Sequence, residues 1–392
     1  MKKKSNIFKY LMLLITVTSI YFILVVGDYI LHLSIYSNVR ESQKIITKKK
    51  QTEDRVLFKK AKDNDYSPIM LPYLYSDNSK IYKQITKNKK IVPVTAQPNR
   101  NVYYCNEGYG LIKFETDKLG LRNQNEVWKR YYKNQNNIIF IGDSYTAGAC
   151  VDAKFSIPYF FKNKFNPINL AWDGNNPSMY ASLGKIFIPV IKPKYVITIF
   201  YGNDNTYNSP DGFAFWKNLD NENIHEEYFK EIGNNIEVSN EVLETIKEVE
   251  NYYIPPKPGS RSNIFQRGIR YLSLPTLRRT IKIAYLKLFL KIPFTTKLAI
   301  DEIEKQCQKH NCIPIFGFIP NSDYWEPNPL LNEYKESIKD YVLEKNFEFV
   351  DFSDSINKIK DRKGYAPKGT HLSPAGYKAV ANDLKSVIKE YN

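Results

Sequence analysis

Residues 138–148 read IIFIGDSYTAG, an apolar, β-rich run that stops at Gly142 and gives way to small and polar residues. A short run that is apolar at every position, not at alternate ones, is what a strand buried on both faces of a parallel sheet shows. Ser144 falls where such a strand passes into a loop and a helix. In open α/β sheets, ligands bind and chemistry is placed outside the carboxyl ends of the strands. A serine there, with the backbone N–H groups of a helix start behind it, is a candidate nucleophile with part of an oxyanion site in place.

Further strand-like runs recur at 168–171, 195–201, 313–318 and 347–352. Helix-period stretches lie at 180–191, 299–310 and 333–345, and a last amphipathic pattern at 375–391 closes the chain. Strand alternating with helix predicts a parallel sheet covered on both faces. An insertion at about 208–297 interrupts the alternation. Its first part is rich in glutamate. Residues 257–297 contain no acid, and there Arg278, Arg279, Lys282 and Lys287 alternate with Ile281, Tyr285, Leu288 and Phe289 at helical spacing. Such a basic amphipathic helix either lies on an anionic membrane surface or packs beside the acidic half of an inserted helical subdomain. The second arrangement is the expected one.

The 392 residues are 43% hydrophobic and 25% charged, a globular composition that excludes a disordered chain. Residues 10–27 carry no charge, and apolar character resumes through residue 33. This predicts a transmembrane helix over 10–32. No small-residue cleavage site follows it, so the segment reads as an uncleaved signal anchor. Lys2, Lys3, Lys4 and Lys9 assign 1–9 to a cytoplasmic tail and the large domain to the other side of the membrane. Residues 33–100 read as a stalk and pre-domain region, and 101–392 as the main domain. The net charge of +16 accompanies an abundance of Lys, Asn, Ile and Tyr. No basic–aromatic pattern marks a nucleic-acid module, so nucleic acid is not an expected partner.

A serine nucleophile needs a base and an oxyanion site. Of four histidines, His32 ends the membrane span, His225 lies in the acidic part of the insertion, and His310 ends a charged helix. His371 sits in PKGTHLSPAG (367–376), a loop entering the last helix, from which it can reach across the carboxyl edge of the sheet. Asn203, in FYGNDN (200–205), follows the third strand, and its amide is a candidate oxyanion donor. Gly174, in NLAWDG (169–174), follows the second strand and offers a backbone N–H. All four residues fall at strand carboxyl ends or in the final loop.

This ordered set resembles the SGNH or GDSL hydrolase superfamily, over 101–392 apart from the insertion. Gly142-Asp143-Ser144 matches its first block, Gly174 the second, Gly202-Asn203-Asp204 the third and His371 the last. The resemblance implies a flavodoxin-like three-layer α/β/α sandwich with a parallel sheet; no cofactor is expected. Ser144 would be the nucleophile and His371 the general base. The Ser144 N–H, the Gly174 N–H and the Asn203 side chain would form the oxyanion hole. The stretches YCNEG (104–108) and GLRN (120–123) look like a membrane-anchored bacterial branch of the superfamily. Together these imply a membrane-tethered serine esterase acting on O-acyl, for instance acetyl, groups of cell-envelope carbohydrate. An O-acyltransferase with a sugar hydroxyl as acceptor is the alternative chemistry.

One position departs from the pattern. The superfamily places the third triad member, an Asp, three residues before the histidine, and here that residue is Lys368. Asp351, Asp354, Asp361 or a backbone carbonyl would have to orient His371 instead, and a nearby ammonium would weaken it as a base. Without such a group the fold would serve a non-catalytic glycan-binding or assembly protein. Cys105 and Cys150 flank the first strand and are candidates for a disulfide in a domain outside the cytoplasm. Cys307 and Cys312 read as buried free thiols. No CxxC or His/Cys cluster has metal-ligand spacing, so no metal is expected. Anionic lipid or polysaccharide is the partner class that the basic insertion would fit.

Overall fold

The computed structural model describes residues 2–36, 50, 53–70, 93–94, 97–131, 136–206, 228–232, 235–252, 269, 272–285, 288, 292–322, 331–360 and 363–389. The chain opens with α1 (Lys2–Tyr36), whose stretch Phe8–Ser34 is long and apolar enough to cross a membrane. Residues 53–62 are helical and lead into β1 (Ser67–Pro68). This strand pairs parallel with β2 (Asn101–Tyr103), which pairs antiparallel with β3 (Lys113–Glu115). Tyr104 N–H donates to the Ile112 carbonyl and Ile112 N–H to that of Cys105, extending the β2–β3 hairpin so that residues 106–111 form its tip. Part of the expected stalk is therefore folded onto the main domain.

β4 (Asn137–Ile141) runs into the one-turn helix α2 (Ser144–Ala147) and is followed by β5 (Asn166–Asn169). The helix α3 (Pro177–Ile191) then leads to β6 (Tyr195–Tyr201). Asn176 starts α3 by accepting from the amides of Ser178 (3.0 Å) and Met179 (3.4 Å), with Pro177 at the first helical position, where its missing N–H costs nothing. The insertion contributes the hairpin β7 (Phe229–Ile232)–β8 (Asn235–Val238) and the helices α4 (Asn240–Tyr252) and α5 (Pro275–Tyr285). The alternation resumes with α6 (Phe294–His310), β9 (Ile313–Ile319), α7 (Leu331–Glu344), β10 (Glu348–Asp351) and α8 (Pro374–Val387).

The main sheet has the order β10-β9-β6-β4-β5, with every pairing parallel. Counting its own strands along the chain, this is 2-1-3-4-5, the flavodoxin-like doubly wound order. The winding direction reverses between β4 and β6, so the crevice of the sheet opens at their carboxyl ends. Side-chain alternation divides the core into two layers. Ile139, Ile141, Val196, Phe200 and Phe316 pack with α3, α6 and α7 on one face. Ile138, Phe140, Ile197, Ile199 and Ile315 pack with residues 157–161 and α8 on the other.

Two expectations are corrected. The acidic half of the insertion folds onto the core through Ile236, Val238, Val242, Ile246 and Val249, whereas the basic helix α5 packs against α1. The Tyr21 hydroxyl donates to the Leu272 carbonyl, and an Asp28 carboxylate oxygen accepts from the Leu277 amide at 2.5 Å. Arg261, Arg267, Arg270 and His225 lie outside the described residues. Cys307 and Cys312 are bonded to each other, with their Cα atoms 4.5 Å apart. Asn311 ends α6 in the left-handed conformation and folds the chain back so that the Cys312 amide donates to the Cys307 carbonyl, which brings the two side chains together.

Candidate active site

The strand-to-helix turn after β4 presents Ser144. Asp143 precedes α2 and its carboxylate accepts the Tyr145 amide at 2.9 Å, so the helix begins immediately at the serine. Gly142 permits the turn by absence of a side chain. A Cβ there would sit 2.1 Å from Thr146 Oγ1 and 3.0 Å from the Ile199 carbonyl oxygen. Arg122, from the GLRN stretch, is buried behind the turn and donates to the Gly148 carbonyl and, at 2.6 Å, to the Val151 carbonyl. Its neighbour Asn123 donates to the Asn169 carbonyl and accepts from the Asn169 amide, joining the same block to the end of β5.

His371 reaches Ser144 from the loop before α8. Its Nε2 lies 2.9 Å from Ser144 Oγ. The loop is held in three places. The Tyr145 hydroxyl donates to the Thr370 carbonyl at 2.9 Å, and its ring packs 4.8 Å from the imidazole. The Ala366 amide donates to the His371 carbonyl at 2.8 Å, and the Tyr365 hydroxyl donates to the Pro320 carbonyl at 2.9 Å.

The far side of the imidazole faces Glu107, at the tip of the β2–β3 hairpin. His371 Nδ1 lies 3.0 Å from Glu107 Oε1, and the His371 backbone amide donates to Oε2 at 3.0 Å. Glu107 thus grips both the ring and the main chain of one residue. The loop reciprocates, because the Lys368 amide donates to the Glu107 carbonyl. Gly369 makes room for it: a Cβ at that position would overlap the Glu107 carboxyl carbon at 1.9 Å. Asp351 is engaged elsewhere, bound to Lys335 at 2.7 Å, Asp354 is exposed, and Asp361 lies outside the described residues. A backbone carbonyl is not the orienting group either.

Lys368 does not act as anticipated. Its ammonium binds Glu53 at 2.7 Å, in the helical stretch that follows α1, instead of bearing on the imidazole. Asp54 accepts from Asn106 Nδ2 at 3.3 Å, so the same stretch supports both the histidine loop and the hairpin tip.

Burial alone would pull the His371 pKa down, but the hydrogen bond and charge of Glu107 outweigh it and hold the imidazole above its ordinary value. Burial alone would raise Glu107, yet its bonds to His371 and the imidazolium charge keep it below the usual carboxylate range. The neighbouring Asp143 and Asp173 are pushed upward, chiefly by burial. Of the acids around His371, Glu107 is accordingly the one that holds its negative charge most firmly.

A disulfide joins Cys105, two residues before Glu107, to Cys150, six residues after Ser144, with the Cα atoms 5.1 Å apart. Cys150 Sγ lies 3.5 Å from His371 Nδ1. Glu107, Cys150 and His371 place their ligand-type atoms within 4.8 Å of one another, but the Cys150 sulfur is committed to the disulfide and supplies no thiolate for a metal. Gly174 and Asn203 are both exposed, in the loops after β5 and β6, and open onto the same edge as Ser144. Asn175 ties the first of these loops to the serine turn by donating to the Gly142 carbonyl at 3.2 Å.

Glu107 is the residue missed in the sequence. The usable signal was indirect: it lies in the quoted YCNEG stretch two residues after Cys105, and pairing Cys105 with Cys150 carries that acid to the serine loop.

The chain is similar to known proteins at the level of the family and of the fold. No curated protein sequence matches the chain. Among solved structures, TesA is 9% identical with a TM-score of 0.39, covering 66% of this chain and all of that one. A putative lipolytic protein of the G-D-S-L family from Desulfitobacterium hafniense DCB-2 is 16% identical with a TM-score of 0.38, covering 65% and 100%. The extracellular lipase from Streptomyces rimosus is 10% identical with a TM-score of 0.37, covering 64% and 100%. The family model of the GDSL-like lipases and acylhydrolases matches residues 140–379. The chain therefore belongs to the GDSL-like lipase/acylhydrolase family, whose chemistry is ester hydrolysis.

Proposed function

We propose that the protein is a membrane-tethered serine esterase that removes O-acyl groups from cell-envelope carbohydrate through an acyl-serine intermediate. The observation that carries this reading is the unbroken chain Ser144 Oγ–His371 Nε2 at 2.9 Å and His371 Nδ1–Glu107 Oε1 at 3.0 Å. Glu107 holds the Nδ1–H tautomer, which leaves Nε2 free to accept the serine proton. Ser144 Oγ attacks the ester carbonyl carbon as that proton passes to Nε2. The tetrahedral oxyanion is held by the Ser144 and Gly174 N–H groups and the Asn203 amide. The bond to the alcohol oxygen breaks as His371 returns the proton to it. Water, deprotonated by the same nitrogen, then releases the carboxylic acid and restores the serine. The non-catalytic reading loses the observation that motivated it, since a carboxylate occupies the orienting position despite Lys368.

Two features support a tether that remains part of the protein. Tyr21 and Asp28 of α1 both bond to residues of the insertion, an arrangement a cleaved leader would not keep. Two disulfides suit a domain in an oxidising compartment outside the cytoplasm. An anchored esterase on that side meets acylated envelope carbohydrate, and the substrate assignment rests on this placement.

The test is covalent. Full-length folded protein treated with a fluorophosphonate is expected to gain one adduct, mapped by peptide mass spectrometry to Ser144. Unlabelled protein, or an adduct on another residue, would overturn the assignment. A second expectation concerns the Cys105–Cys150 bond, which closes a 45-residue separation. Loop-closure entropy assigns such a bond about 4 kcal/mol of stability. Replacing both cysteines by serine is expected to lower the unfolding free energy by roughly that amount. Freeing the hairpin tip should also lower ester hydrolysis by about 10-fold to 100-fold, as a misplacement of about 1 Å does in oriented sites. Denaturant unfolding and initial rates, compared with wild type, measure the two effects.

A further inference from the structure

We infer that α5, with the flanking residues Ile269, Leu272 and Leu288, is a second membrane-seated element, lying in the same leaflet from which the catalytic domain emerges and bound there by lipid. This rests on the reading of α1 as a membrane span. The contacts between the two place the segment at depth. Tyr21, the donor to Leu272, is the central residue of Phe8–Ser34, about 20 Å from either end of a helix rising 1.5 Å per residue. Leu272 is thereby held near the middle of a hydrocarbon layer about 30 Å thick.

One helical stretch further along, Asp28 meets the start of α5. Its carboxylate takes the amide of Leu277, the third residue of that helix, as an N-cap side chain does. Asp28 is 1% exposed, although it is the lone acid of a long apolar helix. Ionisable residues inside membrane spans are costly and normally face a specific protein partner. Here that partner is a helix N-terminus, whose unpaired amides and positive dipole end suit a carboxylate.

The rest of the segment has the composition of a membrane-seated helix. Ile269, Leu272, Ile281 and Leu288 are exposed, Leu288 by 72%. Arg278 is exposed beside them, and residues 257–297 contain no acid to oppose anionic headgroups. In water this would be an apolar surface of a kind that marks an interaction site. Beside α1 its occupant is the acyl chains and anionic headgroups of the surrounding leaflet, with the exposed Arg278 side chain available to the headgroups.

The topology links this element to the active edge. The insertion leaves the sheet at the carboxyl end of β6 and returns at Phe294, the start of α6, which runs back along the sheet toward the start of β9. Both crossings lie on the edge that carries Ser144. Eight residues lie between Tyr285 and Phe294, so even a fully extended connection spans only about 30 Å. The catalytic edge is thereby held close to the bilayer surface, where an ester presented by a membrane component meets it.

The test uses site-specific depth measurement on the full chain. All four native cysteines are in disulfides, so a single introduced cysteine takes an environment-sensitive nitrobenzoxadiazole label alone. Labels at Ile281→Cys and Leu288→Cys, with Ile15→Cys and Lys129→Cys as references, are compared in vesicles of phosphatidylglycerol and phosphatidylcholine. The expected result is blue-shifted emission and quenching by acyl-chain nitroxide lipids at 281 and 288, as at 15. The label at 129 should instead be quenched by aqueous iodide. Labels at 281 and 288 that behave like 129, while 15 is lipid-quenched, would overturn the inference and leave the α1 span standing. Aqueous behaviour at 15 as well would overturn both. Asp28→Ala is expected to reduce lipid quenching at 288 without changing fluorophosphonate labelling of Ser144; unchanged quenching would remove Asp28 as the cap that seats the helix.

Discussion

Glu107→Gln is expected to lower kcat/KM for ester hydrolysis by about 10³ to 10⁴, the size of effect that loss of the orienting carboxylate has in Ser-His-Asp hydrolases. Gln is nearly isosteric and can still accept the His371 backbone amide, so the hairpin and loop should remain in register. What it loses is the charge that stabilises the imidazolium and selects the Nδ1–H tautomer. The pH profile separates this from a structural defect. The base must be neutral to act, and Glu107 raises its pKa, so wild-type activity climbs with pH through a value above the ordinary imidazole range. In Glu107→Gln the acid limb should move to lower pH while its plateau falls. A plateau that falls with an unmoved limb would indicate a packing role only. Stability follows the same pair. The His371 contribution is present below its unfolded pKa and lost as pH rises through the folded one. That of Glu107 is present above its unfolded pKa and lost as pH falls through the folded one. Both are in place between about 4.5 and 6.5.

The two halves of the site differ in how openly the sequence carries them. Ser144 was readable because its signal is local: an apolar strand, an abrupt glycine and a small polar turn occupy eleven consecutive residues. His371 was readable by elimination and position, as the one histidine in a loop that enters a terminal helix. Glu107 offered neither kind of signal. It is 264 residues from His371, and its hairpin belongs to a segment outside the part that matches the family. Only the disulfide connects it to the serine loop, and spacing alone does not establish a cysteine pairing. The same cause hid the role of Lys368. Its partner Glu53 lies 315 residues away, in a charged stretch whose composition reads as a stalk. A parallel sheet covered on both faces was legible because buried strands and amphipathic helices carry their own periodicity, whereas the flavodoxin-like arrangement was implied by the family resemblance. The position of α5 was not legible, because its basic pattern read as the partner of the acidic half of the insertion, whereas the helix packs against α1. Asp28 marks that contact, and its meaning appears only once the partner amide of Leu277 is seen.

Ser144→Ala is expected to reduce kcat for ester hydrolysis by about 10⁶, and His371→Ala by a similar factor, the scale reported for serine and histidine knockouts in another serine hydrolase. The double variant should be no slower than either single one. Ser144 and His371 act on one proton across one 2.9 Å contact, so once either is gone the other has nothing left to transfer or receive. Independent contributions would instead multiply and push the double variant toward the uncatalysed rate. Single-turnover rates of the three variants, measured on protein whose unfolding midpoint matches wild type, decide between these outcomes. Residual catalysis of about 10³ to 10⁴ over water is expected to survive in all three. In the proposed mechanism that remainder belongs to groups these substitutions leave untouched: the backbone amides at residues 144 and 174 and the Asn203 side chain. If the variants fall to the rate of water, the donors at the carboxyl edge are not aligned on the oxyanion. If the double variant is markedly slower than both singles, Ser144 and His371 are not working as one unit.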